Sequence, residues 1–243
     1  MTHQPEKTVA TYVTEDYRTA DVFKKYGIDF CCGGKVPLYD ICQKKHLSYD
    51  EVVQQLEQTT TGNKPEDFDF ENWEADKLVN HIIQKHHHYV TGNIDIIGQY
   101  AAKVARVHGD HHPEVKEIDR LFQQVSSELL FHLQKEEIIL FPFIVQLAGA
   151  KRNNLKIAPM GFGPVKNPIS VMEAEHDEAG HTLHEIARLS NQYTPPQDAC
   201  NSFKVLYAKL KEFEDDLHTH VHLENNILFP KTMELYENFA LAV

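Results

Sequence analysis

This sequence has little of what marks a membrane, secreted or nucleic-acid-binding protein. Fully apolar runs such as 138–141 fall far short of the roughly 20 residues that span a bilayer, and the opening MTHQPEKTVA has no apolar core of the secretory kind. We therefore expect a cytoplasmic protein that makes no use of a membrane. Cysteine is scarce: Cys31, Cys32, Cys42 and Cys200 are the four in 243 residues. That is too few for a disulfide framework in a chain of this length, and a reducing compartment keeps them as thiols. Bases are outnumbered, with 24 Lys and Arg against 36 Asp and Glu and a net charge of −12. An acidic chain with its charges interleaved along helices is repelled by nucleic acid and by anionic lipid.

Histidine is what the chain has in excess, 16 in all. Residues 132–142 read HLQKEEIILFP and residues 220–230 read HVHLENNILFP, so H-x-x-x-E-x-x-x-L-F-P occurs twice, 88 positions apart. On a helix, His132 and Glu136 lie one turn apart on one face, as do His220 and Glu224, which lets each pair grip one ion from one side. About two His-x-x-x-acid pairs are expected from composition alone, so the spacing by itself says little. The repeated L-F-P tail and the phase of the neighbours say more. Ile118, Phe122, Val125 and Leu129 lead into His132 and Glu136, with Ile139 and Phe143 continuing the stripe. Leu206, Leu210, Phe213 and Leu217 lead into His220, Glu224 and Ile227. Both pairs therefore face inward, where an imidazole and a carboxylate are costly unless paired or metal-bound.

Residues 1–60 read as a small helical module. Thr14 is placed to cap a helix through Tyr17 to Tyr26 that ends at Gly27, Pro37 to open a second, and Ser48 to Glu51 to form a capping box for a third. IDFCCGGK puts Cys31 and Cys32 on a glycine turn near a helix start, beside Lys35, a setting that favours thiolate and a reactive or iron-handling role. Cys42 and Cys200 stand alone at helical phases and read as packing residues. TTTGNKPEDF has linker composition, which sets the division at 1–60, a 61–71 linker and 72–243.

In 72–243 a first helix runs from Asn72 to about Arg106, where the phase of Val79, Ile83, Val90 and Ile94 turns His87 inward with His86 as its rival. Pro113 starts the second helix, and Pro142 falls inside its apolar pattern and should kink or loosen it. Residues 149–168 read as a long loop. The third helix opens at Pro168-Ile169-Ser170 and shows Ile169, Met172, His176, Ala179, Leu183 and Ile186 on one face. His176 is the polar member of that stripe, while His181 and His184 fall on the surface. His87 to His132 spans 45 residues, His176 to His220 spans 44, and His87 to His176 spans 89. Two helical hairpins, each giving one histidine and then a His-Glu pair, build an all-α four-helix bundle with four histidines and two glutamates converging on a dinuclear site. A nitrogen and oxygen donor set without thiolate suits iron and argues against structural zinc. Glu128 and Glu175 are candidates for contacts behind the ligands or for proton handling.

DFCCGGK, the paired H-x-x-x-E-x-x-x-L-F-P motifs and ISVMEAEHDEAG around His176 together resemble the RIC family, the di-iron proteins for repair of iron-sulfur clusters (ScdA and YtfE types). The resemblance covers essentially the whole chain. It implies a short cysteine-bearing N-terminal domain and a hemerythrin-like bundle with a non-haem di-iron centre, oxo- or hydroxo-bridged. The ligands it implies are His87, His132, Glu136, His176, His220 and Glu224, and it settles His87 over His86. It implies a role in restoring clusters damaged by nitric oxide or peroxide, with damaged iron-sulfur proteins as partners and nitric oxide or oxygen as small ligands. Three uses of such a centre follow. It can donate iron with Cys31 and Cys32 as a thiol relay, turn over nitric oxide or nitrite, or bind and sense oxygen or nitric oxide. A homodimer stays open as the oligomeric state.

Overall fold

The structure, a computed structural model, describes residues 7–31, 33–61, 69–155 and 163–240, and it is all-α. Helices α1 (Val9–Glu15), α2 (Thr19–Lys25), α3 (Leu38–Lys45) and α4 (Tyr49–Thr59) form the N-terminal part. Thr8, not Thr14, starts the first helix: its side chain accepts a hydrogen bond from the Thr11 N–H, and Thr14 lies inside α1. A kink at Asp16 splits the predicted 14–26 helix in two, because Asp16 turns its carboxylate back to Arg18. Gly27, at φ +61°, ends α2. Pro37 precedes α3, and Ser48 caps α4 through the Glu51 N–H at 3.4 Å. Val9, Val13, Phe23, Ile28, Phe30, Leu38, Cys42, Val52 and Leu56 form the core that these helices share.

The rest is a bundle of four long rods. The first joins α5 (Ala75–Ile82) to α6 (His88–His108), the second α7 (Glu114–Lys135) to α8 (Phe141–Asn153), the third is α9 (Lys166–Leu189), and the fourth joins α10 (Asn201–Leu223) to α11 (Phe229–Ala240). α6 packs on α7 and α10, α7 on α9, α9 on α10, and α5 on α8, which closes the ring of four. The predicted loop at 149–168 is shorter than expected, since α8 continues to Asn153 and α9 starts at Lys166; residues 156–162 lie outside the described residues.

Three rods are interrupted by a single wide π-turn: Ile83–His87, Glu136–Leu140 and Glu224–Leu228. In each, an N–H reaches a carbonyl five residues back, as Phe141 does to Glu136 and Phe229 to Glu224. A π-turn admits one extra residue and rotates everything after it. In two rods it is followed by a proline, Pro142 or Pro230, whose ring would collide with the carbonyl four residues back in a regular helix. The expected loosening at Pro142 takes this form, and it corrects the predicted stripe. Ile139 is 45% exposed, and Leu140 and Phe141 take the inward places instead.

The bundle core is divided. One apolar block holds Val90, Ile97, Phe122, Leu129, Leu183, Leu210, Phe213 and Val221; the other holds Leu78, Ile82, Leu140, Phe143, Ile169, Met172, Leu223 and Leu228. Between them, at the level of the three π-turns, lies a layer of buried polar side chains: His86, His87, His132, Glu136, His176, His220 and Glu224.

Candidate metal centre

The wide turns explain which side chains enter this layer. In the first rod the π-turn swings His86 and His87 inward together, and both are buried. Phase along a regular helix predicts one inward residue or the other, so the sequence left them as rivals. Their partners separate them. His86 Nδ1 donates to Asp216 at 2.9 Å, whereas His87 Nε2 points toward Glu136 at 3.5 Å and Glu224 at 3.9 Å.

All six candidate ligands meet. His87, Glu136, His220 and Glu224 offer donor atoms that all lie within 4.8 Å of one another, and so do His132, Glu136, His176 and Glu224. The two groups share both carboxylates. Glu224 lies 2.9 Å from His220 Nε2 and 3.1 Å from His176 Nε2, and Glu136 lies 3.3 Å from His132 Nε2. His132 Nε2 and His176 Nε2 are 2.9 Å apart. Two nitrogens at right angles on one ion, each at about 2.0–2.1 Å, stand about 2.9 Å apart.

A bound metal fits this donor set. Four buried atoms that point into the layer have no hydrogen-bond partner: His87 Nε2, both oxygens of Glu136, and Glu224 Oε2. Buried polar atoms are nearly always satisfied, and converging orphans of opposite character are what an ion between them accounts for. The electrostatics agree. Burial opposes charge on His87 and His132, but the nearby carboxylates of Glu136 and Glu224 outweigh it and raise the two imidazoles to about 10 and about 9. Burial and the mutual repulsion of Glu136 and Glu224 act against ionisation, yet the surrounding imidazoles hold Glu136 below and Glu224 well below the usual carboxylate range. The layer is a cage of carboxylates that demand cationic company.

Behind the candidate ligands stand residues that fix the rings. Glu137 accepts from His87 Nδ1 at 2.8 Å, Glu175 from His132 Nδ1 at 2.9 Å, and Asn225 from His176 Nδ1 at 2.9 Å. Each bond commits Nδ1 as the donor and leaves Nε2 for the centre. Glu175 is also paired with Lys135. Of the two outer candidates read from the sequence, Glu175 stands here, whereas Glu128 is exposed and receives a bond from Gln124 at 3.1 Å. Glu137 and Asn225 were missed, although a signal existed: each directly follows a shared glutamate, 88 positions apart.

The cysteines differ from expectation. Helix α3 begins at Leu38, well past Cys31, so no helix N-terminus favours its thiolate. Lys35 reaches Glu173 of α9 at 3.2 Å, and the Cys31 thiol is 3% exposed and donates to the Asp29 carboxylate at 3.0 Å. Cys32 lies outside the described residues. Cys42 is buried as a packing residue, but Cys200 is exposed; it precedes α10, with its sulfur 3.2 Å from His108 Nε2.

Bundle and polar layer together define a four-helix cation-binding protein of the hemerythrin kind. Residues 78–232 match the model of the hemerythrin HHE cation binding domain, and residues 5–60 match ScdA_N, described as a domain of unknown function. A Haemophilus influenzae protein named as a probable iron-sulfur cluster repair protein is 39% identical over 215 residues, 87% of this chain and 90% of its own. The iron-sulfur cluster repair proteins YtfE of Escherichia coli O81 and of Enterobacter sp. strain 638 are 37% and 36% identical over 216 residues, 89% of this chain and 91% of theirs. The chain belongs to this family of iron-sulfur cluster repair proteins, the RIC family. Among its described residues, no helix is long and apolar enough to cross a membrane.

Proposed function

We propose that this chain repairs iron-sulfur clusters damaged by nitrosative or oxidative stress, by donating iron from a di-iron centre to damaged iron-sulfur proteins of the cytoplasm. The observation that carries it is the pair of overlapping four-residue cages sharing Glu136 and Glu224. In this reading His87 and His220 would hold one ion and His132 and His176 the other, with Glu136 and Glu224 available to both. Two irons so held supply one-electron chemistry and open coordination places for small ligands such as nitric oxide or oxygen.

The chain's own residues do the rest. Glu137, Glu175 and Asn225 orient the imidazoles through Nδ1. The two apolar blocks keep water from the layer on both sides. Two bridging carboxylates cancel only part of the charge of two divalent ions, which keeps the cargo labile enough to be given away. Cys31 and Cys32 serve as the relay, soft donors that take iron outward. The support for this is the seat of the Cys31 turn against α10, where Asn226 donates to the Cys31 carbonyl at 3.3 Å.

The test is reconstitution of a damaged [4Fe-4S] enzyme by iron-loaded protein. Cys31→Ala with Cys32→Ala is expected to keep the visible absorption and iron content of the wild type and to lose most repair. Full repair by the double variant removes the relay; no iron in the wild type removes the whole reading.

A further inference from the structure

The turn that carries Cys31 is held together by Asp29. The Asp29 carboxylate accepts from the Cys31 N–H at 2.8 Å, the Gly33 N–H at 2.8 Å and the Cys31 thiol at 3.0 Å. Gly34 allows the close return of the chain, for a Cβ there would sit 2.4 Å from the Phe30 carbonyl oxygen. This fold of the turn leaves the Phe30 and Cys31 carbonyls facing α10 and the π-turn that follows it. There Asn226 Nδ2 donates to the Cys31 carbonyl at 3.3 Å and lies 3.5 Å from the Phe30 carbonyl, while His222 Nδ1 lies 3.4 Å from that same carbonyl and 3.1 Å from the Asn226 amide nitrogen. The Phe30 ring stands edge-on to His222 at 5.7 Å, and Tyr17 meets Thr219 hydroxyl to hydroxyl at 2.9 Å. The Cys31 side chain packs with the apolar block of α6, α7, α9 and α10.

The internal repeat shows that the bundle does not need these polar groups for itself. Thr219, His222 and Asn226 stand 88 positions after Phe131, Gln134 and Ile138. In the second rod those three positions are exposed, Phe131 at 66% and Ile138 at 64%, while His132 and Glu136 between them are in place. A rod can therefore deliver its His-Glu pair while this face stays open to solvent.

We propose that Asn226 and His222 are positioning residues for Cys31: they grip the backbone carbonyls of its turn and seat it on the same stretch of the fourth rod that sends Glu224 and Asn225 to the centre. Because the grip is on carbonyls, it reads the shape of the turn through its backbone, while the Cys31 thiol stays on Asp29. The purpose given to the seat rests on the iron-donating reading; the seat itself does not.

The experiment measures the rate at which Cys31 reacts with a small maleimide in the full chain, with Cys32→Ser, Cys42→Ser and Cys200→Ser leaving it as the single thiol. Asn226→Leu and Asn226→Asp are both expected to speed labelling about five- to tenfold, the worth of about one lost hydrogen bond. The aspartate keeps the shape but places an acceptor against the carbonyls. Ile138→Ala, at the matching place in the second rod, is expected to label at the parent rate. Thermal midpoint and iron content are expected to stay at parent values in all three. Parent-rate labelling in Asn226→Asp with an intact midpoint overturns the seat; if Asn226→Leu lowers the midpoint, the aspartate variant alone decides. Faster labelling, with full repair by the same Asn226 substitutions made in the chain that keeps all four cysteines, keeps the seat and removes the purpose given to it, whereas parent-rate labelling beside thiol-dependent repair keeps the relay and removes the seat.

Discussion

The two halves of the bundle, 75–153 and 166–240, agree in what enters the polar layer and disagree in what stands behind it. Each sends one histidine and one His-x-x-x-Glu pair inward, because two equal cages need equal donors. Behind them the chemistry diverges. Glu137 holds His87, and its counterpart 88 positions on, Asn225, holds His176, so a carboxylate in one half is a neutral amide in the other. Glu175 holds His132, but the matching place 89 positions earlier is His86, whose ring stacks on His220 at 5.7 Å and turns its own Nδ1 to Asp216. Ser126 corresponds to Glu214, and the exposed Phe131 and Ile138 correspond to the residues that meet the N-terminal part. Duplication kept the inner set; the outer set was free to make the two cages unlike.

The strongest way to break this comparison is at the shared carboxylates. Glu136→Ala and Glu224→Ala are each expected to empty both cages, so that metal analysis finds almost no iron, a larger loss than the ~10–100-fold that outer contacts are worth. His87→Ala, which touches one cage only, is expected to leave about one ion per chain on the same logic of closed donor sets. One ion retained in either glutamate variant refutes the sharing. Next in size are the outer partners. Glu137→Ala is expected to weaken iron binding toward 100-fold and Asn225→Ala nearer tenfold, since a carboxylate strengthens an imidazole ligand more than an amide does. Chelator competition measures both, and equal losses would show that the charge difference behind the cages does not matter.

The smallest effect separates Glu214 from Ser126. Burial lifts the Glu214 carboxyl to about 7, with Asp215 adding to the rise and the Tyr193 hydroxyl and Lys211 opposing it. The folded chain keeps this proton up to about pH 7, while the unfolded chain releases it near 4.5. Stability is therefore highest below that window, falls as pH rises through it, and is level above. Glu214→Gln is expected to flatten the slope and to gain about 1–3 kcal/mol at pH 8, read from urea unfolding between pH 5 and 8. An unchanged slope assigns the pH dependence elsewhere.

Much of this was legible in the chain. His132, Glu136, His220 and Glu224 declared themselves by repetition, and His176 by being polar in the stripe of Ile169, Met172, Ala179 and Leu183, all of which are buried with it. What could not be read was the π-turn, a shift of backbone hydrogen bonds by one residue. Pro142 and Pro230 hint at it in two rods; nothing marks it at Ile83–His87. Hence Ile139 was placed inside, and His86 was read as a rival of the favoured His87 although both turn inward. The thiol turn was misjudged for a related reason. Pro37 marked the helix start correctly, but Cys31 lies too far before it to be served by that start, and the Asp29 carboxylate captures the N–H groups of Cys31 and Gly33 instead.

The polar slab between the two oily blocks means that this bundle is riveted through its waist by whatever it carries. If it donates iron as proposed, it would surrender some of its own stiffness with each ion given up. Amide exchange in the turns at Ile83–His87 and Glu224–Leu228 would then read how full the molecule is, and an emptied chain would show its spent condition in its mechanics as well as its colour.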